Sequence, residues 1–324
     1  MEILVNGYAY PSIDPDVLAD WSDYISLLLC FSYGFTDQGA LIPLDDYEMR
    51  AIAESKGVKS MMVLTPLDPQ GAFNNELVDI LLSDEEKKAR LLNEILAELQ
   101  RKNMFGVDFD FEFVFAENKD QYSQFVQDAA LKLNPEGYLV TVALAPKVSA
   151  DQPGLLYQGH DYAAMGEAAN FVLLMTYEWG YTYGPPMAVA PLPAVRRVLT
   201  YGISEINPDK ILMGMPNYGY DWTLPFVQGE SRAEQISNPE AVARAARYGV
   251  EIQFDEDAQS PFYYYTDEQG REHVVWFEDY RSWSAKFALL KELGLAGFSI
   301  WHIMYPFPEG TRAIAENFEV IRVQ

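Results

Sequence analysis

Phe105-Gly106-Val107-Asp108-Phe109-Asp110-Phe111-Glu112-Phe113 alternates apolar and acidic residues from Val107 onward. Successive side chains of a strand point to opposite faces, so Asp108, Asp110 and Glu112 share one face and Phe109, Phe111 and Phe113 the other. Such alternation is common on the solvated face of an antiparallel sheet. This stretch instead follows an amphipathic helix within a series of strands and helices, where both faces of a sheet are covered. In a closed barrel the phenylalanines pack under the surrounding helices. The three acids then point inward, with Glu112 nearest the C-terminal rim where barrel active sites sit.

Working outward, eight β-rich runs can be picked out, at 3–10, 25–33, 60–65, 106–113, 138–145, 171–177, 211–218 and 297–301. Helical patterns separate most of them. The clearest opens at Ser83, with Glu86 three residues on completing a capping box, and continues through Leu91, Leu92, Ile95, Leu96 and Leu99 at helical spacing. Asp45-Asp46 opens another, and Gly57 fits its stop. Eight strands alternating with helices over 324 residues predict an α/β fold, a (β/α)8 TIM barrel. A doubly wound open sheet is the alternative. The interval between the seventh and eighth runs is too long for one helix. Its pattern predicts a helix at 233–248, strands at 251–254, 262–266 and 273–277, and a turn at 267–270. It is therefore expected to be a small α+β insertion, 222–278, walling a cleft above a barrel made of 1–221 and 279–324. A helix at 280–293 resumes the barrel pattern.

Three acids spaced about 7 Å apart in a poorly hydrated interior cannot all ionise cheaply. At least one pKa is expected to rise, and a Glu kept protonated near neutrality suits general acid catalysis. A hard-metal site is the competing chemistry, because Asp-x-Asp-x-Glu offers oxygen ligands. With three His in the chain, a His-rich zinc site is not expected, and neither metal nor cofactor is called for. The net charge of −25 disfavours nucleic acid and anionic membranes as partners and tolerates a neutral glycan. Twenty-one Tyr and six Trp supply apolar faces with hydrogen-bonding tips, which suit either a sugar groove or a large core. Cys30 reads as a buried thiol. No apolar run reaches the roughly 20 residues of a bilayer span, and the N-terminal residues do not read as a signal peptide. A monomer is expected.

The strand at 105–113 resembles glycoside hydrolase family 18, the chitinase-like family, whose pattern is D-x-x-D-x-D-x-E on the fourth barrel strand. Asp108, Asp110 and Glu112 match its last three acids, and Phe105 stands at the place of the first. Met175-Thr176-Tyr177-Glu178 resembles the family's Met-x-Tyr-Asp on strand six, with Glu for Asp. Met215-Pro216-Asn217-Tyr218-Gly219 resembles its strand-seven motif, and Trp301 stands where the family places a Trp beneath the reacting sugar. The resemblance spans essentially the whole chain. Within the family it is strongest to the spore-germination and cortex-lytic subgroup of N-acetylglucosaminidases (YaaH-like and SleL-like), on Gly184-Pro185-Pro186, Tyr220-Asp221-Trp222 and Val275-Trp276-Phe277-Glu278-Asp279. Members of that subgroup often carry LysM repeats, which are not found in this sequence. The resemblance implies an extracellular, cell-wall or spore setting.

It also implies substrate-assisted hydrolysis, in which the 2-acetamido oxygen of the sugar attacks its own anomeric carbon. Glu112 is then the proton donor, Asp110 holds the acetamido N–H, and Asp108 supports Asp110. Tyr177 donates to the acetamido oxygen, and Trp301 floors the sugar. Met175, Tyr218, Glu178, Tyr10, Tyr33 and Trp179 are expected as further substrate-binding residues, with Trp222 a weaker candidate. Ordinary packing is the alternative for each aromatic. The expected partner is an N-acetylated glycan, peptidoglycan or spore-cortex fragments before chitin. Three rivals stay open: a two-carboxylate glycosidase with Glu178 as nucleophile, a glycan-binding relative without activity, and a metal-dependent hydrolase.

Overall fold

The computed structural model describes residues 1–67 and 71–323. Eight parallel strands follow one another in chain order: Glu2–Ala9, Leu27–Phe35, Lys59–Leu64, Gly106–Phe109, Leu139–Leu144, Phe171–Leu174, Ile211–Pro216 and Gly297–Trp301. Each pairs with its predecessor, and the eighth returns to the first with Leu4 opposite Gly297. That last pairing closes the sheet and excludes the open alternative. The fold is a (β/α)8 TIM barrel.

Closure divides the apolar residues into two layers. Leu27, Leu29, Phe31, Met61, Val63, Ala143, Leu173 and Leu212 fill the lumen. Leu28, Cys30, Met62, Leu64, Val107, Phe109 and Val140 point outward to meet the helices. The helix Glu85–Lys102 shows how that outer layer forms: Leu91, Leu92, Ile95 and Leu99 are buried along one face. Each contributes roughly 1.5–3 kcal/mol on burial. Its cap is Asp84, whose carboxylate accepts from the Glu86 and Lys87 amides at 3.0 and 3.2 Å. The Ser83–Glu86 box does not form, because Ser83 closes a separate preceding helix, Asn75–Leu82, through its amide bond to Asp79. Asp46 precedes the helix Tyr47–Ser55 without capping it. Its buried carboxylate instead takes Arg50 at 2.9 Å, Lys102 at 2.8 Å and the Tyr33 hydroxyl.

Between the seventh and eighth strands the chain builds an antiparallel five-stranded sheet. Its spatial order is Glu234–Ile236, Gly219–Thr223, Glu272–Trp276, Ser260–Thr266, Gln253–Asp255. The sheet begins at Gly219, three residues before the expected start. Residues 234–236 are a strand and not the first turn of the expected helix. The helix itself is Asn238–Tyr248, because Ser237 caps it by accepting the Glu240 amide at 3.1 Å and Pro239 tolerates only a first-turn position.

This excursion is tied back to the barrel by a buried ion pair. Lys286 and Glu278 are both fully buried and meet at 2.9 Å. Ser282 donates to the same carboxylate at 2.6 Å, and the Glu278 amide donates to Asn238 of the excursion helix at 2.9 Å. Lys286 belongs to the helix Tyr280–Leu293, which packs on the barrel. Removing one partner strands a buried charge. Lys286→Met is expected to cost about 3–5 kcal/mol in urea unfolding; a loss below about 1 kcal/mol contradicts this role for the pair.

Candidate active site

The ladder of the fourth barrel strand runs through Gly106–Phe109 and is shorter than the alternating pattern suggests. The Asp110 amide still bonds to the Leu64 carbonyl at 3.0 Å, so the extended course carries one residue further. The chain then turns, with Phe113 at φ +56°. Phe109 and Phe111 lie in the strand–helix layer, and Phe111 stacks on Tyr122 at 5.3 Å. Phe113 departs from the expectation: it is half-buried and faces Phe73 at 6.3 Å, because the turn takes it off the strand.

The three acids occupy successively more open positions. Asp108 is buried and accepts from the Tyr8 hydroxyl at 2.8 Å and the Thr141 hydroxyl at 2.5 Å. Those two groups hold it, while Phe105 packs with the lumen residues below. Burial raises the Asp108 pKa to about 6, with the two hydroxyls pulling the other way. Asp110 is also buried, and its Oδ1 has no hydrogen-bond partner. Burial first, then the charges of Glu112 and Asp108, push its pKa well up. Glu112 is half-buried at the cleft, its pKa raised to about 7 by burial and by the charge of Glu178.

The cleft has a volume of about 530 Å³ and is bordered by Asp110, Glu112, Tyr177, Glu178 and Trp301, together with Tyr10, Met175 and Trp179. Trp301 is met edge-on by Phe31 at 4.9 Å, Tyr8 at 5.7 Å and Tyr10 at 6.0 Å, which fixes the indole plane at the base. Tyr177 borders the cleft beside Asp110, Glu112 and Glu178, and burial, then the charges of Asp110, Glu112, Glu178 and Asp108, raise its pKa well above its ordinary value. Gly214 makes room for that ring. A Cβ there would lie 2.7 Å from Tyr177 Cε1, the Leu174 carbonyl and the Thr176 amide nitrogen.

Glu178 takes φ +66°, an uncommon conformation for a residue with a side chain. The residue as a whole is exposed, yet its carboxylate end is enclosed. Oε1 accepts from Tyr218 at 2.5 Å and Tyr220 at 2.9 Å. Burial raises its pKa and the two hydroxyls moderate the rise. Tyr218 therefore reaches the site only through Glu178: it is fully buried and does not border the cleft. Trp222 is likewise buried, donating its indole N–H to the Gly184 carbonyl at 2.8 Å.

Tyr33 lies outside the cleft. The second strand shifts register between Cys30 and Tyr33, which adds one residue against the third strand and reverses the facing of the residues beyond it. Phe31 keeps the inward alternation of Leu27 and Leu29 and borders the cleft, while Tyr33, beyond the added residue, turns to the helix layer and donates to Asp46. Sequence reasoning missed Phe31, although its alternation with Leu27 and Leu29 marks it as a lumen residue. It also missed Tyr8 and Thr141, which hold Asp108. Of the remaining side chains of the rim, Leu67, Phe73 and Pro146 stand on loops and Leu156 and Tyr157 on the helix Leu155–Gln158, too short to carry a periodic signal. Among the described residues, no group of three or more His, Cys, Asp or Glu is placed to hold a metal ion, and no helix is long and apolar enough to cross a membrane.

The raised pKa of Glu112 has a stability consequence. The unfolded chain loses this proton near its ordinary value of 4.5, and the folded chain holds it to about 7. Stability is therefore lost as pH climbs between those values, and below both the group contributes nothing. Glu112→Gln, which cannot ionise, is expected to unfold at higher urea than the parent at about pH 8, by up to about 3 kcal/mol before the discount for partial exposure. The advantage should shrink toward zero at about pH 4.5; an equal effect at both pH values contradicts the raised pKa.

Comparison with known proteins agrees with this geometry. The family model described as glycosyl hydrolases family 18 matches residues 20–305. The cortical fragment-lytic enzyme of Bacillus subtilis (strain 168) is 44% identical over 301 residues, covering 93% of this chain and 70% of that protein. Among solved structures, the Bacillus cereus spore cortex-lytic enzyme SleL superposes with a TM-score of 0.95 at 36% identity, over 99% of this chain and 75% of the other. The SleL of Bacillus megaterium QM B1551 gives 0.94 at 41% identity, over 100% and 76%. A family match across most of the chain, joined to relatives of this identity and coverage, means that the chain belongs to family 18 of the glycosyl hydrolases and is a glycoside hydrolase.

Proposed function

We propose that this enzyme cleaves glycans beside N-acetylglucosamine with retention of configuration, using the sugar's own acetamido group as nucleophile, and that its substrates are peptidoglycan or spore-cortex fragments. The observation that carries the reading is the unpartnered, buried Oδ1 of Asp110, set between Glu112 and Asp108. A buried acceptor without a donor is costly, and an acetamido N–H arriving from the cleft relieves it. The hydroxyl of Tyr177, which lines the same cleft, donates to the acetamido oxygen. That oxygen attacks the anomeric carbon while Glu112 transfers its proton to the leaving oxygen and the glycosidic bond breaks. The resulting oxazolinium ion is stabilised by Asp110. Glu112, now ionised, takes a proton from water as the water oxygen bonds to the anomeric carbon, which breaks that carbon's bond to the acetamido oxygen and returns the acetamide. Asp108 acts through Asp110 and is itself steadied by Tyr8 and Thr141. Trp301 supports the sugar's apolar face.

Substrate class rests on charge and on relatives. Among the described residues bordering the cleft, Asp110, Glu112 and Glu178 are ionisable acids and there is no Lys, Arg or His. Beside the acids such a wall favours an uncharged sugar, as N-acetylglucosamine is, over an anionic one. The relatives named for cortical fragments point to spore cortex ahead of chitin oligomers.

Glu112→Gln is expected to lower kcat by about 10²–10⁴-fold on a fluorogenic N-acetylglucosamine oligomer. The parent's rate should fall on the alkaline side with an apparent pKa near 7, the value at which Glu112 loses its proton. Proton NMR of the first-formed sugar should show the retained anomer, and an analogue lacking the 2-acetamido group should be spared. Cleavage of that analogue at a comparable rate would transfer the nucleophile's role to an enzyme carboxylate, with Glu178 the candidate. Loss of activity in excess chelator would sink the metal-free mechanism.

A further inference from the structure

We infer that His160 is a positioning residue for Glu112, gripping together with Gly159 the turn on which that carboxylate stands. The inference rests on the reading of Glu112 as the proton donor. The sheet ladder ends at Phe109, and beyond Asp110 the chain has left its neighbours. The Phe111 carbonyl, one residue before Glu112, lies 2.9 Å from His160 Nε2. On the other side of the ring, Nδ1 accepts the Ala145 amide at 2.9 Å. An N–H pointing at Nδ1 leaves the ring proton on Nε2, so Nε2 donates to Phe111. The imidazole, fully buried, thus bridges the end of the fifth barrel strand to the backbone that aims Glu112.

The bridge is itself braced. Lys147 Nζ donates to the His160 carbonyl at 2.7 Å and to Ala150 at 3.0 Å. Tyr162 donates to the Ala145 carbonyl at 2.6 Å and accepts the Lys147 amide at 2.9 Å. Gly159 adds a second grip, two residues beyond Glu112. A Cβ at this position would collide with the Val114 carbonyl oxygen and Cβ, so only glycine lets the segment lie against the turn. Glu112 is held from both sides, at Phe111 and at Val114.

A satisfied core histidine would contribute stability alone. A positioning residue also decides how far Glu112 stays from water and how it faces Asp110, Glu178 and Tyr177, the groups that interact with it across the cleft. Displacement of a catalytic group by about 1 Å costs on the order of 100-fold in rate. His160→Leu, assayed well below its melting temperature, is expected to lose about 10–100-fold in kcat with KM within about twofold. Its alkaline limb should move to lower pH as water reaches Glu112. His160→Gln, whose amide can donate to Phe111 and accept from Ala145, should restore most of both, and Gly159→Ala should shift both in the direction of His160→Leu. A folded His160→Leu with the parent's kcat and limb overturns the inference. If that variant does not fold, Gly159→Ala with parental values overturns it instead. Carbon-13 NMR titration of the Glu112 carboxyl, assigned by its loss in Glu112→Gln, gives a readout independent of turnover. An inactive parent would defeat the hydrolase mechanism, whereas an unchanged titration midpoint in the folded variants would defeat the positioning role alone.

Discussion

Negative charge held without a counter-cation is the constraint on which this structure turns. Asp108, Asp110, Glu112 and Glu178 converge at one end of a closed barrel, and no basic side chain among the described residues borders the cleft that the last three line. Charges so enclosed raise one another's pKa and resist ionisation. The fold answers with hydroxyl groups. Tyr8 and Thr141 donate to Asp108, and Tyr218 and Tyr220 donate to Glu178. A hydroxyl stabilises a carboxylate without cancelling its field. Asp110 and Glu112 therefore stay exposed to the repulsion and protonated at higher pH than an ordinary acid.

The barrel makes this possible because closure removes water from the lumen while the strand pleat delivers acids to it at fixed intervals. Its outer face carries no such burden. There, Phe109 and Phe111 pack edge-on and stacked against Phe125 and Tyr122 of the helix Lys119–Leu133, so the strand that bears the acids is anchored by apolar contacts on its opposite side. One strand thus serves two environments, and its alternating sequence is the record of both.

That alternation made the barrel and the three acids legible from sequence, because period-two patterning is a direct consequence of strand geometry. The rest was lost where geometry departs from regularity. One added residue in the second strand turned Tyr33 away from the lumen that Leu27, Leu29 and Phe31 face, and nothing local in Leu27-Leu28-Leu29-Cys30-Phe31-Ser32-Tyr33 marks it. Ser83 and Asp84 are both good caps, and only the ending of the previous helix decides between them. Leu67 comes from a loop, and Leu156 and Tyr157 from a single helical turn, Leu155–Gln158, whose placement depends on tertiary packing. The hydroxyls around Glu178 were visible as residues but not as a unit, since Tyr218 and Tyr220 meet it only once the sixth and seventh strands lie side by side.

Tyr220 belongs to Gly219–Thr223, the second strand in the spatial order of the excursion sheet, and is hydrogen-bonded there to Glu234–Ile236 and Glu272–Trp276. The excursion lends no side chain to the border of the cleft, contrary to the wall expected from sequence, yet it reaches the acids from behind. It carries one of the two phenols that temper Glu178, and Glu178 in turn sets the field felt by Glu112. Acidity at the reaction centre is thereby linked to a peripheral module that can diverge independently of the barrel. A change in this appendage at Tyr220 is thus a route to a different working pH that leaves every barrel strand as it is.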